Sequence, residues 1–116
     1  MVTYQWGIFW ADLNPTKGSE QAGTRPVLVV SAEVVNMALP VVSILSLTSL
    51  KPGRTVYPVE VYLPANVSGL SKDSIVLAHQ IRVIRKERLG QKCGEIKSDP
   101  IKEAVRHALK LYLDIV

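Results

Sequence analysis

Apolar residues occur along this chain in short runs, and a helical rhythm appears only at its end. In residues 7–13 both alternating faces are apolar, with Ile8 and Trp10 on one and Phe9, Ala11 and Leu13 on the other. That is the pattern of a strand buried on both sides, and Trp10 is read as core. Residues 27–30 repeat the pattern, as do residues 41–48 until the hydroxyls of Thr48 and Ser49. Residues 57–63 alternate instead, placing Val59, Val61 and Leu63 inward and Glu60 and Tyr62 outward, which predicts a half-exposed strand. A further strand is expected over 75–78, continuing with a bend through 80–84, and a last short one over 93–96. Residues 32–39 read as a short helical turn or a loop before Pro40, without evident chemistry. Lys51-Pro52-Gly53-Arg54 is a basic turn and residues 68–73 are another. After Ser98-Asp99-Pro100, which combines a capping residue with a first-turn proline, Ile101, Ala104, Val105, Ala108, Leu109, Tyr112 and Leu113 recur at three- and four-residue spacing. One closing helix is therefore predicted. Several strands, one terminal helix and no βαβ rhythm point to a mainly β (α+β) fold, a strongly bent antiparallel sheet or small barrel.

One stretch resists this pattern. Residues 14–24 contain two glycines and almost no apolar side chain, so they cannot bury themselves, and connections of that length in small domains tend to carry function. They lead into Arg25-Pro26. The proline pushes Arg25 toward extended geometry, which holds its guanidinium at the mouth of a rigid strand.

Composition narrows the setting. At 116 residues the chain is a single domain, 1–116. A hydrophobic share of 47% and a mean hydropathy of +0.18 exceed what so small a core uses, which implies a subunit interface. The longest apolar runs are far too short to span a membrane. With no secretory signal and Cys93 as the single cysteine, a cytoplasmic protein without a disulfide is expected. A net charge of +4 favours an anionic partner, although a mildly basic solvated surface explains it equally well. The chain has no Gly-rich phosphate loop, no nucleophile elbow and no His/Cys cluster at metal spacing, so neither a metal nor a cofactor is expected. What remains is an arginine, a hydroxyl pair and a histidine, each near a strand end.

Five segments, in order, carry a resemblance: Gly7-Ile8-Phe9-Trp10-Ala11-Asp12-Leu13-Asn14-Pro15; Gly18-Ser19-Glu20-Gln21-Ala22-Gly23 with Arg25-Pro26-Val27-Leu28-Val29-Val30; Thr48-Ser49; Gly69-Leu70-Ser71; and Gln80-Ile81-Arg82 with Arg88-Leu89 before the helix. Over nearly its whole length the chain resembles the MazF/PemK toxin family. The resemblance implies an SH3-like barrel with an appended helix. It also implies a metal-independent endoribonuclease that cuts single-stranded RNA at short motifs, acts as a homodimer, and is neutralised by a cognate antitoxin. The family's central arginine and threonine map onto Arg25 and Thr48. Arg25 suits electrostatic stabilisation, because a guanidinium stays protonated and its fork matches phosphate oxygens. Thr48 would orient the phosphate. The plain alternatives are an arginine bracing its loop and hydroxyls ending a strand.

His79 departs from relatives that carry a carboxylate before the Gln-Ile-Arg segment. Titrating near pH 6.5 when unperturbed, a histidine can transfer a proton where Arg25 cannot. In an unbroken strand, however, it shares a face with Leu77 and Ile81, so a bend at Gln80 is needed to bring it to the site. RNA contacts are expected from Thr16, Lys17, Ser19, Glu20, Gln21, Ser49, Lys51, Arg54, Gln80 and Arg82. Trp6, Trp10, Tyr57 and Tyr62 are candidates for stacking on bases, although Trp10 reads more readily as core. Two competing readings are a DNA gyrase poison of the CcdB type and a non-catalytic RNA-binding module.

Overall fold

The computed structural model describes residues 2–13 and 23–116. Its strands are β1 (Gly7–Asp12), β2 (Thr24–Val29), β3 (Val41–Ser49), β4 (Glu60–Leu63), β5 (Ser74–Arg85) and β6 (Leu89–Glu95). They form one six-stranded antiparallel sheet in the order β4-β5-β3-β2-β1-β6. Three helices accompany it: α1 (Glu33–Ala38), α2 (Ala65–Ser68) and α3 (Asp99–Leu113). The mainly β sheet with a C-terminal helix is the architecture expected. Three local expectations change: residues 57–59 form no strand, α2 precedes the 68–73 turn, and β6 begins at Leu89 rather than at Cys93. Of the two readings of residues 32–39, the short helix is the one formed.

Apolar side chains on both faces give the sheet two cores. One lies under α3 and joins Trp6, Ile8, Leu28, Leu45, Leu47, Val76 and Ala78 to Val105 and Ala108. The other lies on the opposite side and contains Phe9, Ala11, Leu13, Val27, Val29, Val42, Ile44 and Ile84. Two-sided burial explains why β1, β2 and β3 read as continuous apolar runs.

The tryptophans exchange their expected places. Trp6 is 9% exposed, adopts φ 67°, and has Lys102 and Arg106 over its ring. Its amide donates to the Val29 carbonyl at 2.8 Å and its carbonyl accepts from Ile96 N at 2.9 Å, which fixes the ring in the core instead of leaving it for bases. Trp10, in contrast, is 44% exposed. The β1–β6 pairing shifts register between Phe9 and Ala11, and a Cβ on Gly90 would stand 3.3 Å from the Trp10 carbonyl. The strand that should have covered the indole therefore crosses at Trp10's backbone.

Ser98 caps α3, accepting from Ile101 N at 3.4 Å, and Pro100 sits in its first turn. Of the apolar positions predicted to pack, Val105 and Ala108 are buried, whereas Ala104, Tyr112 and Leu113 are exposed. The helix outruns the sheet it lies on. α1 acts as a clamp. Glu33 accepts from Tyr4 N at 3.0 Å and Gln5 N at 2.9 Å, and the buried Asn36 donates to the Ser31 carbonyl at 2.8 Å. Burial pushes the Glu33 carboxyl up, yet the amides of Gln5 and Tyr4 hold it below the usual carboxylate range.

Candidate active site

Three strands converge on the expected chemical centre. Arg25 is the second residue of β2, exposed, and lies opposite Ala11 of β1. On the other side of β2 the register pairs Val29 with Ile44, Leu28 with Leu45 and Val27 with Ser46. That ladder ends at Val27 and Ser46; Arg25 lies two residues before Val27 on β2, and Thr48, half-buried near the end of β3 and paired with Ile75 of β5, lies two residues after Ser46. Alternation places Arg25 and Thr48 on one face, continuing the rows of Val27 and Ser46. Arg25 and Thr48 thus sit toward the same end of two adjacent strands, just beyond the last paired residues of their ladder. A planar cation beside a small donor, both on rigid strands, is an arrangement that can grip a phosphate.

β5 carries the bend that the sequence required. Pairing steps from Ile44 to Ser46 on β3 but from Arg82 to Leu77 on β5, so residues 78–81 bulge out of the ladder, and Ala78 N donates instead to the Val59 carbonyl at 3.1 Å. The bulge turns His79 toward α3, where its ring meets Tyr112 edge-on at 6.5 Å between centroids. Its Nδ1 is buried and has no hydrogen-bond partner among the described residues. His79 lies four residues beyond the partner of Thr48, up to about 13 Å along the strand. The structure does not bring it beside Arg25 and Thr48. Gln80 and Arg82 are half-buried at and just beyond the same bulge.

The other expected contacts fare differently. Thr16, Lys17, Ser19, Glu20 and Gln21 lie outside the described residues. Ser49 and Lys51 are exposed beyond Thr48. Arg54 is engaged elsewhere: its Nη1 and Nη2 each donate to Glu60 at 2.9 Å, and the Glu60 side chain is only 3% exposed. Reading Glu60 as outward and Arg54 as an RNA contact missed this pair, because alternation cannot register a cation supplied by a turn six residues away. The Arg54 hydrogen bonds, aided by the Tyr57 amide, hold the Glu60 carboxyl below the usual carboxylate range against the effect of burial.

A second feature adjoins these strand ends, and of its lining the sequence reading offered Trp10 and Ser49 for RNA contact. Trp10, Pro26, Ser49, Leu70, Ser71 and Lys72 border a cleft of about 350 Å³, which Gly69, Ser74 and Cys93 complete. Trp10, Pro26 and Ser49 are the sequence neighbours of Ala11, Arg25 and Thr48, and alternation puts them on the opposite face of the same strand ends.

Known proteins resemble the chain over its whole length. The chain is 33% identical over 116 residues to Endoribonuclease EndoA of Bacillus subtilis, covering 100% of this chain and 98% of that protein. MazF (Form-I) from Deinococcus radiodurans superposes with a TM-score of 0.80 at 29% identity, covering 98% of each chain. The MazE-MazF complex (Form-III) from the same organism gives a TM-score of 0.76 at 28% identity, covering 100% of both chains. Residues 4–113 match the family model for the PemK-like, MazF-like toxin of type II toxin-antitoxin system, and the chain belongs to that family.

Proposed function

We propose that this chain is an endoribonuclease toxin that cuts single-stranded RNA at short sequence motifs without a metal. The observation that supports the reading is the register of β1, β2 and β3, in which Arg25 and Thr48 each lie two residues beyond the paired Val27 and Ser46, toward one end of the sheet. Kinship with a protein named as an endoribonuclease supports it. In the reaction a ribose 2′-oxygen gives up its proton and bonds to the adjacent phosphorus. The bond from phosphorus to the 5′-oxygen breaks, and that oxygen takes a proton, leaving a 2′,3′-cyclic phosphate and a 5′-hydroxyl. Arg25 neutralises charge on the crowded phosphorane, and Thr48 donates to a non-bridging oxygen. Because His79 lies up to about 13 Å along β5 from the partner of Thr48, the proton transfers fall to other groups, with Glu20 the first to test.

The chain acts as a homodimer in the cytoplasm, where its RNA is found. As MazF of Deinococcus radiodurans is in complex with MazE, so this chain is neutralised by a cognate antitoxin, whose acidic segment would cover Arg25 and compete with RNA. The test is incubation of the purified protein with long single-stranded RNA in excess EDTA. Fragments ending in cyclic phosphate are expected, with a rate that falls by at least about 10²–10³ in Arg25→Ala, the scale of one lost preorganised donor. Intact RNA, or equal cleavage by that variant, overturns the proposal.

A further inference from the structure

We propose that the cleft beside Trp10 is a nucleobase subsite, holding an unpaired base that flanks the scissile phosphate; this rests on the RNA-cleavage reading above. Base recognition outside a duplex needs an aromatic face, nearby groups able to donate and accept hydrogen bonds, and a cation for the attached phosphate. The cleft supplies all three. Trp10 offers an indole at 44% exposure, in a family of positions where Ile8 and Leu28 of the same row are fully buried. Ser49 and Ser71 bring hydroxyls and Lys72 an ammonium group. None of these three side chains is used in a hydrogen bond or ion pair among the described residues, whereas the neighbouring Asp73 is committed to Ala65 N and Tyr62 Oη.

Position favours RNA as the occupant. Ser49 follows Thr48 directly, Pro26 follows Arg25, and Trp10 precedes the Ala11 that pairs with Arg25. A strand gripped by Arg25 and Thr48 has only to turn round the rim of β1, β2 and β3 for its next base to enter. The volume of about 350 Å³ falls at the small end of the ~300–1,000 Å³ typical of ligand sites, which suits a single base. Hydroxyls that donate and accept equally make the site tolerant, so Trp10 governs affinity and Ser71 modulates preference.

The experiment first maps the cut site by sequencing ends from long RNA, then uses a short oligonucleotide spanning that site. Steady-state cleavage is measured for the parent and for Trp10→Ala, Trp10→Phe, Ser71→Ala and Arg25→Ala, each checked for folding by circular dichroism. Trp10→Ala is expected to raise KM about 5- to 150-fold, the range available from stacking one base, with kcat little changed. Trp10→Phe restores most of the loss, and an abasic nucleotide at the flanking position reproduces it in the parent. The same oligonucleotide, with a 2′-deoxy sugar at the cut to block reaction, should quench Trp10 emission. A Trp10→Ala protein with the parent KM and base preference, while Arg25→Ala is inactive, overturns the subsite and leaves the nuclease standing. Emission that ignores RNA but shifts when the protein is diluted overturns it in favour of an interface between copies. If the parent itself fails to cut RNA, the underlying reading falls instead.

Discussion

Arg25 separates charge from shape at the candidate site. Arg25→Lys keeps one positive charge but loses the planar fork, so its cleavage rate should fall between those of the parent and Arg25→Ala. Thr48→Ala should cost about 10² in kcat at unchanged fold, measured by single-turnover cleavage, because it removes one donor from a half-buried strand end. For His79→Ala we expect the parent's pH limb in the same assay together with a lower thermal midpoint, since the ring packs on Tyr112. Loss of a limb at intact fold would return His79 to the chemistry. Glu60 gives a prediction about stability. Its folded carboxyl is lowered by Arg54, so the group contributes stability above its unfolded pKa and loses it as pH falls through the folded value. Arg54→Ala should therefore lower the urea midpoint at pH 7, and the gap from the parent should close as the pH is taken into the acid range. A gap that persists in acid would mean that the pair does not set this stability.

Among the elements, β5 shows how one strand can serve two faces. Below the bulge its residues pair with the end of β3 that carries Thr48, and above it they pair with Ile44 and the strand's start. The three extra residues are where an alternating pattern loses its phase, which is why His79 could not be assigned a face from sequence. β6 depends on a different constraint. A Cβ on Gly94 would lie 2.5 Å from the Ser68 carbonyl, a backbone atom held by α2. Gly94→Ala should accordingly destabilise the protein by about 1–3 kcal/mol, the usual cost of overpacking, measured by urea unfolding. An unchanged midpoint would show that β6 and α2 can separate freely.

At the scale of the whole molecule, apolar surface remains after both cores are filled. α1 presents Val34, Val35 and Met37 outward, with Leu39 just beyond it, and Val34 is 77% exposed. A clamp helix this short gains nothing in a monomer from such residues, and contiguous exposed apolar patches mark association sites. Light scattering at micromolar concentration should give twice the chain's mass. Val34→Glu should give a folded monomer, because the side chain has few contacts of its own to lose. A dimer that survives this change would move the interface to another apolar surface, such as the exposed end of α3.

The class of fold, the number and order of most strands, and the closing helix with its cap were legible in the sequence, and family resemblance singled out Arg25 and Thr48 as candidates. Those features depend on local chemistry: residue periodicity, turn residues, and motifs contiguous in the chain. Tertiary structure decided everything that depends on which strand lies beside which. Trp10 is exposed because β6 shifts register and crosses at its backbone, and Trp6 is buried because its amide and carbonyl are tied to Val29 and Ile96. Glu60 is buried because a turn delivers Arg54 to it, and the cleft exists because β1, β2, β3 and the residues after α2 end together. Alternation along one strand records a side chain's direction but not what occupies that direction, since the occupant comes from residues distant in the chain and is fixed only when the ladders pair.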